Sequence, residues 1–176
     1  MLNKDVGRDS INTPLWQLRT HMAFLIDNLQ YYLQVDVLES NFTQLEDKVR
    51  TVQDFEAIQL AHENFLTSVF SQSFLLLKPV YQCLMEIVEL CLSLCMLVTN
   101  NHGQMSSQEF LHLNDLTLNF KRHTSLLFRI LSSVRSHQAS PHLAQLLLRI
   151  DYNKYFTRCG GQLGGNISTQ ATFEAP

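Results

Sequence analysis

Apolar residues recur every three or four positions along most of the chain, and no stretch alternates long enough to make a strand. The pattern predicts an all-α fold, a bundle of about five or six helices. Thr13-Pro14 supplies a capping hydroxyl followed by proline at a first helical position, so the first helix is expected from about Pro14 to Glu39. A short second helix follows at about 42–52. Asp54 is placed to cap a third over about 55–77, which the Lys78-Pro79 step ends or kinks. The apolar run 79–99 makes the fourth. After the polar stretch NNHGQMSSQ, Ser106 and Glu109 have the spacing of a capping box for a fifth helix reaching about Ser136. Ser140-Pro141 opens a sixth that ends between Tyr152 and Phe156. Residues 1–13 are expected to be a flexible lead, 14–158 the helical domain, and the glycine-rich, polar 159–176 a disordered tail.

The stretch NLQYYLQVDVLES, residues 28–40, is apolar, aromatic and amide-rich at once. On a wheel of about 100° per residue, Met22, Leu25, Ile26, Leu29, Leu33 and Val37 share one face. Phe24, Tyr31, Val35 and Leu38 share nearly the opposite one. Two apolar stripes predict a helix packed on both sides. Asp27, Gln30 and Gln34 form a narrow polar ridge between them. Asp36 projects onto the first stripe, a costly position for a carboxylate unless something pairs with it. The paired tyrosines read first as core packing with bonded hydroxyls, and second as a partner contact.

Composition narrows the class. The 176 residues are 45% hydrophobic with few Gly and Pro, enough for one core and unlike fibrous or low-complexity chains. The net charge of −3 is no mark of a nucleic-acid binder. Residues 1–100 carry 6 basic and 12 acidic side chains, and residues 101–176 carry 7 and 4. Drift among solvated faces explains that asymmetry more simply than an oriented partner does. The basic group Lys121, Arg122, His123, Arg129 and Arg135 lacks interleaved exposed aromatics, so a solvated face outweighs RNA binding. The start of the chain has no apolar h-region of a secretory signal. Cys83, Cys91 and Cys95 sit in apolar runs, as reduced core thiols do, and a fourth, Cys159, opens the tail. Glu86 and Glu89 interrupt the apolar window 80–98, which argues for a buried helix and against a membrane span.

No catalytic pattern is complete in the sequence. His62-Glu63 begins a zinc-protease spacing, but Leu66 stands where the second histidine is needed. Cys91 and Cys95 are one turn apart with leucines between and no further ligands nearby. Gly160-Gly161 and Gly164-Gly165 follow no strand and precede no Gly-Lys-Ser/Thr sequence. No catalytic residue, metal ligand or cofactor is therefore expected.

The blocks Trp16-Gln17-Leu18-Arg19-Thr20-His21-Met22-Ala23-Phe24-Leu25, Asn28 through Glu39, Asp54-Phe55-Glu56, Ala61 through Leu66, and Leu147 through Phe156 together resemble the carboxy-terminal grip domain of the gamma-tubulin complex components. The similarity covers about residues 15–158. It departs at Asn41-Phe42, where some members carry Pro-x-Trp, and residues 1–13 match no block. The resemblance implies a helical scaffold that binds gamma-tubulin and other gamma-tubulin complex components and works without catalysis. It also implies a place in the cytoplasm and cytoskeleton, at the centrosome and spindle pole, where the complex templates microtubules. Members of the family are several hundred residues long, so the chain reads as a fragment or short form. The contact surface is expected on the exposed parts of two family blocks: Gln30, Gln34 and Glu39 from the first helix, and Asp151, Asn153 and Tyr155 from the end of the last. Neither nucleic acid nor a membrane is expected as a partner.

Two other readings compete. A metal-dependent enzyme would rest on His62 and Glu63 with a distant third ligand. A purely structural bundle, pairing its apolar helix faces with other helices, would rest on the two-sided first helix and the apolar fourth.

Overall fold

A computed structural model of the chain describes residues 6–100, 105–138 and 141–158. Among them every regular element is helical: α1 (Val6–Tyr31), a π-helical segment (Tyr32–Glu39), α2 (Ser40–Thr51), α3 (Phe55–Gln72), α4 (Lys78–Asn100), α5 (Ser107–Gln138), α6 (Pro141–Ile150) and the single turn α7 (Tyr155–Arg158). The all-α expectation holds. The tail expected at 159–176 lies outside the described residues.

Several boundaries move, each for a physical reason. α1 begins at Val6, so residues 6–13 of the expected flexible lead are helical and Pro14 lies inside the helix. Proline's fixed φ suits a helix, and its missing N–H costs one backbone bond. No break separates the first and second helices. The rod runs on from Val6 to Thr51 through the π segment, and the N–H of Ser40 reaches back five residues to the Val35 carbonyl. Asp54 does stand at the head of α3 with extended backbone, but its side chain makes no capping bond. α3 stops at Gln72, five residues short of expectation, because Phe74 takes a left-handed φ of 66°. The Phe74 ring is thereby turned into the core while Leu75 and Leu76 are left exposed. The capping box forms as expected: the N–H of Ser106 donates to Glu109 at 2.7 Å, and the N–H of Glu109 donates to the Ser106 hydroxyl at 3.2 Å.

The core is assembled from one stripe of each long helix. Leu18, Met22 and Leu25 of α1 meet Cys83, Ile87 and Leu94 of α4, Leu113, Phe120 and Leu127 of α5, and Leu143, Leu146 and Ile150 of α6. Each fully buried leucine or isoleucine stabilises the fold by about 1.5–3 kcal/mol. α4 and α5 share the largest contact, and α6 rests on α1, α5 and the π segment. α2 and α3 differ from the rest. They pack mainly on each other and on the π segment, and neither places a buried side chain in the core.

Two packing expectations need correction. The second stripe of the first helix is not covered: Phe24, Tyr31 and Leu38 are exposed and Val35 is half-buried. The apolar α4 is likewise buried only along Val80, Cys83, Ile87 and Leu94, with Tyr81, Met85, Leu92 and Met96 facing outward. By length and composition α4 is also long and apolar enough to cross a membrane.

Candidate functional site

The two blocks that carry most of the candidate residues meet in space. Asp36, in the π segment, accepts two hydrogen bonds from Arg149 of α6, at 2.6 Å from Nη1 and 3.3 Å from Nη2. This fork-to-fork geometry is the strong form of the arginine–carboxylate pair. It resolves the cost of a carboxylate on an apolar stripe, since a paired and hydrogen-bonded charge tolerates partial burial. The guanidinium carbon of Arg149 also lies 4.2 Å from the centre of the Tyr31 ring. Three residues after Arg149, the ring of Tyr152 lies 5.6 Å from that of Phe24 on α1. The first rod and the end of α6, far apart in the chain, therefore meet through a buttressed arginine and exposed aromatic rings.

The π segment explains why the paired tyrosines do different work. In an α-helix, residues five apart diverge by about 140°. Tyr32 and Val37 are five apart and both are fully buried. A π segment bonds residues five apart, so it can bring both to one side. Tyr32 stacks on Phe74, with ring centres 5.5 Å apart, and its hydroxyl donates to the Gln72 carbonyl at 3.0 Å. Burial, with the Asp36 charge adding to it, pushes the Tyr32 phenol well above its ordinary range. Tyr31 instead stands half exposed at 50%, its ring over the Arg149 guanidinium. Packing takes one tyrosine, and the surface keeps the other.

The residues expected at the surface are placed as follows. Gln30, Gln34 and Glu39 are all exposed along the rod. Asn153 is exposed, and its side-chain oxygen accepts the N–H of Tyr155 at 3.1 Å. Tyr155 is exposed and packs edge-on against Phe156. Asp151 differs. It is 5% exposed, and its carboxylate accepts the N–H groups of Phe156 and Thr157 and the hydroxyl of Thr157. That side chain is turned inward to shape the last turn, with the left-handed Lys154 completing the bend. Arg149, Phe24 and Tyr152 were not among the expected contacts, and Tyr31 was one only in the second reading of the paired tyrosines. Asp36 was the signal for Arg149, because a carboxylate on a buried stripe demands a cation, and Arg149 sits in the last family block.

Elsewhere α2 and α3 enclose an open groove of about 430 Å³ lined by Asn41, Gln44, Lys48, Asn64 and Phe65 among others. His62 and Glu63 are exposed on α3. Among the described residues no three His, Cys, Asp or Glu side chains gather where they could hold a metal ion. From the basic group on α5, His123 turns to α4, its Nδ1 standing 2.8 Å from Glu86 but off the line of a hydrogen bond.

Comparison with known proteins adds an independent finding. Residues 3–156 match the family model described as the gamma tubulin complex component C-terminal domain. That match takes in most of the first thirteen residues, which lie outside the resembling blocks. The chain is 54% identical over 164 residues to gamma-tubulin complex component 4 of Mus musculus and, equally, of Homo sapiens. These alignments cover 93% of this chain and 25% of each relative. The component 4 of Arabidopsis thaliana is 36% identical over 145 residues, covering 81% of this chain and 19% of that protein. The chain thus spans about a quarter of the length of the relatives it matches.

Proposed function

Because this chain belongs to the gamma-tubulin complex component family, through its C-terminal domain, we propose that it is a scaffold that binds gamma-tubulin and holds it for microtubule nucleation. The single observation that supports this is the meeting of three family blocks through exposed aromatics, with Tyr31 over Arg149 and Phe24 against Tyr152. Tyrosine and arginine are the residues most often found to dominate protein–protein binding energy. Gln30, Gln34 and Glu39 on the rod, with Asn153 and Tyr155 beyond α6, supply the polar rim, while Asp151 shapes the turn that carries them.

The physical work is positional. Each subunit that joins a nucleus gives up roughly 4–15 kcal/mol of translational and rotational freedom. A scaffold that holds gamma-tubulin side by side has met that cost before the first αβ-tubulin arrives. No bond is made or broken by the scaffold. Its partners on this reading are gamma-tubulin and the other components of the complex, and its place is the cytoskeleton, at the centrosome and spindle pole.

Immobilised gamma-tubulin tests the reading. The chain should be retained at moderate salt. Tyr31→Ala with Tyr152→Ala, and separately Gln30→Lys with Gln34→Lys, should each weaken retention at least tenfold while helicity stays unchanged. A folded wild-type chain that washes through would sink the proposal.

A second reading is favoured by the outward apolar face of α4, with Tyr81, Met85, Leu92 and Met96 exposed. On that reading the chain is an interaction bundle that associates through helix faces and has no nucleating role. Loss of gamma-tubulin retention together with a concentration-dependent mass in light scattering would select it.

A further inference from the structure

We propose that the π segment Tyr32–Glu39 is a rotary joint for the α2–α3 hairpin, locked by the Asp36–Arg149 pair. The inference is independent of whether the chain holds gamma-tubulin. Three observations carry it. First, the hairpin rests mainly on the π segment and on itself, and contributes no buried side chain to the core, so its orientation is set by the rod that leads into it. Second, the segment contains one residue more than an α-helix would use over the same path. Tyr32 and Val37 are both fully buried, and the N–H of Ser40 bonds the Val35 carbonyl five residues back, the wide spacing that fits five residues where an α-helix fits four. Third, the wide turn is clamped from two directions. Arg149 of α6 grips Asp36 through two hydrogen bonds, and Tyr32 is held by the Phe74 ring and the Gln72 carbonyl at the far end of α3.

An α-helix is the better hydrogen-bonded alternative for the same residues, because long π segments are rare where nothing imposes them. If the wide turn relaxes to α without loss of a residue, the α2–α3 hairpin that follows it turns about the rod axis by up to about 100° against the core of α1, α4, α5 and α6. That motion separates Asp36 from Arg149 and Tyr32 from Phe74, and it carries the hairpin with it. The clamp therefore selects one of two orientations of α2–α3. Anything that competes for Arg149, whose guanidinium lies under the exposed Tyr31 ring, biases that choice by linkage.

The surplus residue makes the idea testable. Deleting the exposed Gln34 leaves Tyr32 and Val37 four apart, on one side of an ordinary α-helix. The rod then needs no π turn, keeps the hairpin where it is and loses the second orientation. In the full chain, with Cys91, Cys95 and Cys159 replaced by serine, spin labels are attached through Gln17→Cys on α1 and Thr67→Cys on α3. Pulsed electron resonance then reads their separation. One narrow distance is expected in the parent and in the Gln34 deletion. Arg149→Ala and Asp36→Asn should each add a second distance, and the deletion combined with Arg149→Ala should restore a single one near the parental value. A single parental distance in Arg149→Ala, with the pair merely lowering the melting temperature, overturns the proposal. So does a Gln34 deletion that fails to fold, because a surplus residue must be removable.

Discussion

Asp36 and Arg149 stand 113 residues apart in the chain and 2.6 Å apart in the fold. Both side chains are roughly three-quarters buried, at 21% and 28% exposure, so removing one partner strands the other charge in a poorly solvated place. Arg149→Ala is expected to lower stability by about 1–3 kcal/mol, below the cost at a fully dry site. Asp36→Ala should cost a similar amount. The double variant should cost less than the two together, with a coupling of about 1 kcal/mol or more. Urea unfolding of the four chains measures this. Strict additivity would show that the pair contributes nothing of its own.

Phe74 gives a sharper expectation, because two effects oppose there. Its φ of 66° is unfavourable for a residue with a Cβ, yet its ring is buried and stacked on Tyr32. Phe74→Ala should cost about 3–5 kcal/mol through the cavity and the lost stack. Phe74→Gly loses the same ring but removes the strain at this φ, so it should be no less stable than the alanine variant. Glycine is normally the worse of the two by about 0.5–1 kcal/mol. Equilibrium unfolding of both decides it, and a glycine variant clearly below alanine would refute the strain.

Periodicity made most of the fold legible. The all-α class and the ranges of α4 and α5 follow from spacing, and the Ser106–Glu109 box follows from local chemistry that needs no tertiary information. What spacing misjudged was burial. The second stripe of α1 and the outer stripe of α4 read as core because apolar content marks a face as buriable, without saying what covers it. The π segment was hidden for a different reason. A wheel drawn at one fixed angle assumes α spacing throughout, so it put Asp36 on the apolar stripe and could not show the wide turn that brings it to Arg149. Of the candidate contacts, Gln30, Gln34, Glu39, Asn153 and Tyr155 were placed at the surface by position alone. Asp151 could not be, since only the fold shows its carboxylate bent back onto Phe156 and Thr157.

The cysteines should separate by reactivity. Cys83 is buried, its thiol donates to the His123 carbonyl at 3.3 Å, and burial together with the nearby Glu86 charge pushes it up to about 11. Cys91 is also raised, chiefly by burial, while Cys95 is exposed. The thiolate is the reactive form. In a Cys159→Ser chain at pH 8, a maleimide should therefore label Cys95 first, Cys91 more slowly and Cys83 last, as read by peptide mass spectrometry. The sign for stability follows. The fold keeps Cys83 protonated where the unfolded chain ionises, so this contribution is whole below about 9 and is lost as pH rises towards about 11. Rapid labelling of Cys83 in the native chain would contradict the burial.

Tyr32 extends the same logic to a group at the joint itself. At neutral pH its hydroxyl bonds the Gln72 carbonyl at 3.0 Å, and Tyr32→Phe leaves that half-buried carbonyl without its donor. The expected loss is about 1 kcal/mol. Above the ordinary phenol value near 10 the balance changes, because burial and the Asp36 charge both raise the folded value. The unfolded wild-type chain then gains free energy by ionising Tyr32, and the folded chain cannot follow. Wild-type stability must therefore fall with rising pH more steeply than that of Tyr32→Phe. The advantage of the hydroxyl should shrink through pH 10–11 and then reverse. Paired urea titrations of the two chains between pH 7 and 11 measure the crossover. Parallel curves across that range would mean that Tyr32 ionises in the folded chain as readily as in the unfolded one, and so that the wide turn does not hold it in the core.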